Sequence, residues 1–142
     1  MQPDDAVDAV LRDGLRVFGE NRVQEAQHRW TRRRDLYPGL ALHLVGPLQT
    51  NKVRDVVALF DVIHTLDRPR LVDALAAEMD RAGRSIPCFV QVNIGDEPQK
   101  SGVAVDGLAP LLKQGRDAGI AVTGLMCIPP LGADPRPFFQ HL

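Results

Sequence analysis

Five times along this chain a short apolar run stops and hands over to small or polar residues. The handovers read Val17-Phe18-Gly19-Glu20-Asn21, Leu42-His43-Leu44-Val45-Gly46-Pro47-Leu48-Gln49, Val62-Ile63-His64-Thr65, Phe89-Val90-Gln91-Val92-Asn93 and Gly124-Leu125-Met126-Cys127-Ile128-Pro129. Stretches with apolar residues at helical spacing lie between them. Strand alternating with helix dictates a parallel sheet, because parallel neighbours need a long crossover. In such sheets ligands sit beyond the carboxyl ends of the strands. The residues at the handovers collect at that end, so the pattern implies a small-molecule site on an α/β scaffold.

The periodicity predicts each element. Ala6, Val7, Val10 and Leu11 share one face of a first helix, with Asp4 and Asp5 in its first turn and Gly14 at its end. A strand over 15–18 follows, then a helix carrying Val23, Ala26 and Trp30, the turn Tyr37-Pro38-Gly39, and a strand over 40–45. Val53, Val56, Val57 and Phe60 mark a third helix, 62–65 a strand, and Leu71, Leu75 and Met79 a fourth helix ending near Gly83. Strands are expected over 88–94 and 120–128, joined by a polar loop over 95–102 on the ligand side and a fifth helix begun by Leu108, Leu111 and Leu112.

Composition removes several classes. At 142 residues the chain has a single-domain length, and 44% hydrophobic with 25% charged residues is an ordinary globular balance. A net charge of -1 gives no field to draw nucleic acid or an anionic membrane. Arg32-Arg33-Arg34 is the one basic cluster, read as a solvated helix terminus that complements the dipole, with a phosphate or RNA contact as the alternative. Cys88 and Cys127 fall in apolar runs and read as buried, reduced core residues. The start lacks a signal-peptide pattern and no apolar run reaches membrane-spanning length, which points to the cytoplasm.

Candidate chemistry is sparse. No P-loop or dinucleotide fingerprint occurs. The stretch 46–52 reads either as an anion-binding turn or as an ordinary strand-to-helix turn capped by Thr50 or Asn51. Asp61, His64 and Asp67 are spaced three apart; strand alternation puts His64 on the face opposite the two carboxylates, which argues against a shared metal site. His43, between apolar neighbours, reads either as a hydrogen-bonded core residue or as a site-lining one. Lys113 is expected to face solvent, whereas Lys52 and Lys100 follow strand ends.

Both ends look unlike those of a closed fold. A helix precedes the first strand, and Pro137-Phe138-Phe139-Gln140-His141-Leu142 begins an apolar helical pattern. A (β/α)8 barrel needs roughly 250 residues. The expectation is therefore one domain over 1–142, forming the central portion of a TIM barrel, about strands 2 to 6 with their helices.

Six motifs in register make the reading specific. Phe18-Gly19-Glu20-Asn21 with Val23-Gln24-Glu25-Ala26, then His43-Leu44-Val45-Gly46-Pro47-Leu48-Gln49-Thr50-Asn51-Lys52, resemble the pyridoxal phosphate homeostasis protein family. His64-Thr65-Leu66-Asp67-Arg68, Gln91-Val92-Asn93-Ile94, Lys100-Ser101-Gly102 and Gly124-Leu125-Met126-Cys127-Ile128-Pro129 follow in the same order. The resemblance implies a barrel like that of alanine racemase, holding pyridoxal 5′-phosphate (PLP). It implies a carrier that binds, buffers and transfers PLP, with PLP-requiring apo-enzymes as partners and a monomeric intact barrel. Asn21, His43, Gly46, Asn93 and Met126 would face the cofactor, Asn21 as a hydrogen-bonding amide and Met126 as an apolar wall. The family's Schiff-base lysine, on a strand that would precede Met1, and its phosphate-binding serine and glycine turn, which would follow Leu142, have no counterpart here. Two further readings follow: a racemase-like PLP enzyme, which needs a second acid/base group opposite the lysine, and a truncated, non-functional fragment whose open edges could drive oligomerisation.

Overall fold

A computed structural model describes residues 2–95 and 101–142, residue 141 by its backbone alone. The elements are α1 Asp4–Arg12, β1 Val17–Glu20, α2 Val23–Leu36, β2 Ala41–Leu44, a 3-10 turn Thr50–Lys52, α3 Val53–Leu59, β3 Val62–Leu66, α4 Pro69–Ala82, β4 Cys88–Gln91, α5 Val105–Asp117, β5 Val122–Met126 and α6 Arg136–His141. The strands form one sheet in the order β1-β2-β3-β4-β5, every pairing parallel. Each strand thus lies beside its successor in sequence, the simplest result of repeated βα units.

Alternation divides the sheet into two unlike faces. On one, Leu42, Leu44, Ile63, Thr65, Cys88 and Val90 are buried against the helices. There they meet Leu11, Ala26 and Trp30 of α1 and α2, Val56 and Val57 of α3, Leu71 and Leu75 of α4, and Leu111 of α5, all part of one core. Each such aliphatic side chain contributes about 1.5–3 kcal/mol on burial. The opposite face carries Gly19, His43, Val62, His64 and Phe89, in the registers Gly19↔His43 and His43↔Val62. No helix among the described residues covers it, and we call it the open face.

Two carboxylates tie helices to the sheet. Glu20, only 7% exposed, accepts from Trp30 Nε1 at 2.7 Å and from Arg29 Nη1 at 3.3 Å. Asp61 accepts from the Leu42 amide at 2.8 Å and pairs with Arg84 at 3.1 Å and with Arg34. A buried carboxylate is tolerated only when its lone pairs are met in this way.

The expected solvated basic cluster is corrected here. Arg32 is exposed, but Arg33 and Arg34 are half-buried structural residues. Arg33 pairs with Asp8 at 2.7 Å and holds that carboxyl below its usual range, joining α2 to α1. Arg34 reaches Asp61 and the Leu59 carbonyl. Strand ends also moved. β1 begins at Val17 because Leu15, 49% exposed, donates its amide to Val10 and closes the end of α1. β5 stops at Met126, leaving Cys127 half-buried outside the strand rather than in the core. α5 starts at Val105, three residues ahead of the first leucine of its apolar stripe. No helix among the described residues is long and apolar enough to cross a membrane.

Trp30→Phe keeps an aromatic ring, though a smaller one, and deletes the donor to Glu20. Removing that bond from a buried acceptor should cost roughly 1–3 kcal/mol, read as a lower urea midpoint with unchanged slope; an unchanged midpoint would mean that Arg29 alone satisfies Glu20.

Candidate functional site

The carboxyl ends of β1, β2 and β3 are drawn together at Gly46. A Cβ built there would lie 2.0 Å from the Asn21 carbonyl oxygen, so only glycine lets the two loops pass. The Gly46 carbonyl in turn accepts from Thr65 Oγ1 at 2.9 Å, fastening β3 to the same crossing. Beyond it, Arg68 donates to the Leu48 carbonyl at 2.7 Å and pairs with Asp67 at 2.5 Å. The turn ahead of α3 is a 3-10 turn without side-chain caps, so the expected capping by Thr50 or Asn51 is not found. An open cleft of about 670 Å³ lies over these loops, bordered by Asn21, Arg22, Gln49, Lys52 and Arg68 among others.

Three aromatic rings lie side by side on the open face. His43 Nδ1 and His64 Nε2 are 2.9 Å apart and share a hydrogen bond. The His64 ring stacks on Phe89, centroids 4.6 Å apart and planes 8° off parallel. Phe89 has room because its neighbour on β5 is Gly124, where a Cβ would sit 2.8 Å from the ring. Burial, and then the nearby His43, push the His64 pKa down, favouring neutral imidazole.

Gln91 extends the open face along β4, two residues after Phe89. Its side chain is 5% exposed; Nε2 donates to the Ser101 carbonyl at 3.4 Å while Oε1 has no partner. An unmet buried acceptor is uncommon and marks a place where a donor is expected. Met126 pairs with Gln91 in register. Asn93 follows, its backbone amide donating to Val103 and its Oδ1 accepting from Gly95 at 3.4 Å. Gly102, at φ +122°, would place a Cβ 2.7 Å from the Asn93 amide, which explains the glycine of the Lys100-Ser101-Gly102 motif.

Of the five residues expected at a site, His43 and Met126 lie on the open face, Gly46 forms the loop crossing, and Asn21 is exposed at the end of β1. Asn93 stands just beyond β4. His64 and Gln91 join this surface although no role was expected of either. Their signal was present: each sits two residues from another open-face position, at the period of a strand.

The remaining chemistry is placed elsewhere. Lys113 is exposed and pairs with Asp117, Lys52 lies in the 3-10 turn, and Lys100 with most of the polar loop, 96–100, falls outside the described residues. Cys88 is buried and its thiol is pushed up to about 12, which makes it inert. Asp61 is held by its arginines at the amino end of β3.

A parallel βα repeat in which each strand lies beside its successor has the arrangement of a (β/α) barrel. Residues 4–141 match the family described as alanine racemase, N-terminal domain, and the chain belongs to that family. It is 35% identical over 144 residues to the pyridoxal phosphate homeostasis protein of Aquifex aeolicus, covering 99% of this chain and 62% of that protein. It is 35% identical over 130 residues to the protein of the same name from Escherichia coli K12, covering 90% of this chain and 56% of that one. PipY of Synechococcus elongatus superposes with TM-scores of 0.86 without PLP and 0.84 with PLP bound, at 36% and 35% identity, over 99% of this chain and 65% of PipY. An alanine racemase of Clostridium difficile, 9% identical, shares the fold at TM-score 0.70 over 35% of its length. The chain thus spans under two thirds of the homeostasis proteins and PipY, and its five strands are an arc of a TIM-type barrel.

His64 sets a pH dependence. A folded-state pKa below the unfolded value means that the unfolded chain binds more protons, so stability rises with pH through that window. Unfolding midpoints should fall as pH drops below about 6.5, and His64→Gln should flatten that slope; an equal slope in both would contradict it.

Proposed function

We propose that this chain supplies the central strands of a PLP-binding barrel that binds, buffers and hands over the cofactor. The observation that carries the reading is the orphaned Gln91 Oε1, beside Met126 and along the face that bears His43. A pyridine ring with hydroxyl and ring-nitrogen groups needs apolar contact together with a few polar partners, and this surface offers both. Bound PLP supplies an electrophilic aldehyde and an electron-withdrawing ring. Met126 and Phe89 would supply the apolar contact, Gln91 would accept a hydrogen bond, His43 would donate or accept another, and Asn21 and Asn93 would close the rim, with Gly46 keeping the loops in place. Covalent capture is not assigned to these residues, since no described strand bears a lysine.

A cytoplasmic setting, transfer to PLP-requiring apo-enzymes and a monomeric intact barrel complete the proposal. It rests on the likeness to PipY and to the homeostasis proteins. Racemase chemistry finds less support in this chain's residues. Its single tyrosine, Tyr37, ends α2 beneath Arg16, 5.3 Å from ring centroid to guanidinium, at the opposite ends of the strands.

Calorimetric titration with pyridoxine 5′-phosphate tests the reading, since a ligand without an aldehyde does not react with surface lysines. Saturable binding is expected, weakened about tenfold, or about 1.4 kcal/mol, by His43→Phe or Gln91→Met. No binding by the folded chain, or equal affinity in both variants, would overturn it.

A further inference from the structure

We propose that His43 and His64 form a one-proton couple on the open face, in which His64, braced by Phe89 and Gly124, fixes the tautomer of His43. The ligand-facing part of this inference rests on the cofactor placement proposed above; the couple itself does not. His64 is a positioning residue in this account, acting on a ligand only through His43.

The geometry allows little else. Two imidazole nitrogens 2.9 Å apart cannot both carry hydrogen, so one ring donates and the other accepts. Among the described residues no protein group meets the second nitrogen of either ring, leaving His43 Nε2 and His64 Nδ1 as the ends of the pair. If His64 Nε2–H donates, His43 Nδ1 accepts and His43 Nε2 carries hydrogen. If His43 Nδ1–H donates, His43 Nε2 is bare and His64 Nδ1 carries hydrogen. The tautomer decides whether His43 meets a ligand as donor or as acceptor.

The two states interconvert by a balanced step. A proton added at His64 Nδ1 makes an imidazolium, the Nε2 proton crosses to His43 Nδ1, and His43 releases its Nε2 proton. One proton enters, one leaves, and the net charge returns to its starting value.

The surroundings keep this exchange between the two rings. Phe89 fixes the His64 plane by stacking, and Gly124 leaves space for Phe89. Phe89 lies against His64, and the other residues on the same face of β4 and β5, Gln91, Gly124 and Met126, carry no charge. On β1, Glu20 is bound to Trp30 and Arg29 on the helix face, and on either side of β3 Asp61 and Asp67 are bound to arginines. The one titrating group that acts on His64 is therefore His43, and a second proton on the pair is opposed by the first.

Long-range proton–nitrogen correlation spectra of the chain with labelled histidine read the tautomers directly, without ligand. His43 is expected in one dominant tautomer, with His64 staying neutral below the usual imidazole range. His64→Phe keeps a ring against Phe89 and removes the bond; His43 should then return to mixed tautomers. Mixed His43 tautomers in the wild-type chain would overturn the couple, as would an unchanged His43 in a folded His64→Phe. Should that variant not fold, the wild-type tautomer populations decide alone. Adding pyridoxine 5′-phosphate afterwards separates the two readings: an intact couple whose nitrogens do not shift sinks the cofactor placement and leaves the couple standing.

Discussion

The crossing at Gly46 is the constraint on which the candidate site depends. A side chain there would run into the Asn21 carbonyl, so the β1 and β2 loops meet only through a glycine. Thr65 then binds the Gly46 carbonyl and brings the end of β3 to the same point. Three strand ends are thereby held in a fixed relation by one missing methyl and one hydroxyl. His43 and His64 lie on two of the strands so joined, with their ring nitrogens 2.9 Å apart.

The sheet does two jobs with its two faces. The helix face carries a continuous core in which Trp30, Phe60 and a set of leucines are fully buried, and it provides the folding free energy. The open face is free of that task and can hold groups that would be costly in a core: two histidines and an amide oxygen without a partner. Such a surface is stable only because the other side of each strand is packed. The buried Glu20 and the arginine-bound Asp61 keep the helices in register with the strands, so the charge-bearing residues of this region serve structure rather than chemistry.

Much of this was legible in the residues. The switch between strand and helix periodicity placed all five strands and implied their parallel pairing, because period and connection length are local properties. Asn21, His43, Gly46, Asn93 and Met126 were singled out by the family resemblance, and the structure puts them on or just beyond strands β1, β2, β4 and β5. What escaped the sequence depended on tertiary partners. Arg33 and Arg34 read as a solvated terminus because nothing local announces Asp8 or Asp61, each far along the chain. Cys127 read as core because its apolar neighbours continue past the last ladder pair at Met126. His64 was weighed only against Asp61 and Asp67, its neighbours in sequence, whereas its partners are His43 and Phe89 on adjacent strands.

The central claim is that the open face of β2, β4 and β5, rather than the loop cleft or a helix surface, receives the cofactor. The most direct measurement is a chemical-shift map of the chain, its methyl, amide and ring signals followed while pyridoxine 5′-phosphate is added. The account predicts that the Met126 methyl, the Gln91 side-chain amide and the His43 ring move together along one saturation curve. Shifts confined to Lys52, Arg22 and Arg68, or spread over the helix surfaces with the open face silent, would contradict it.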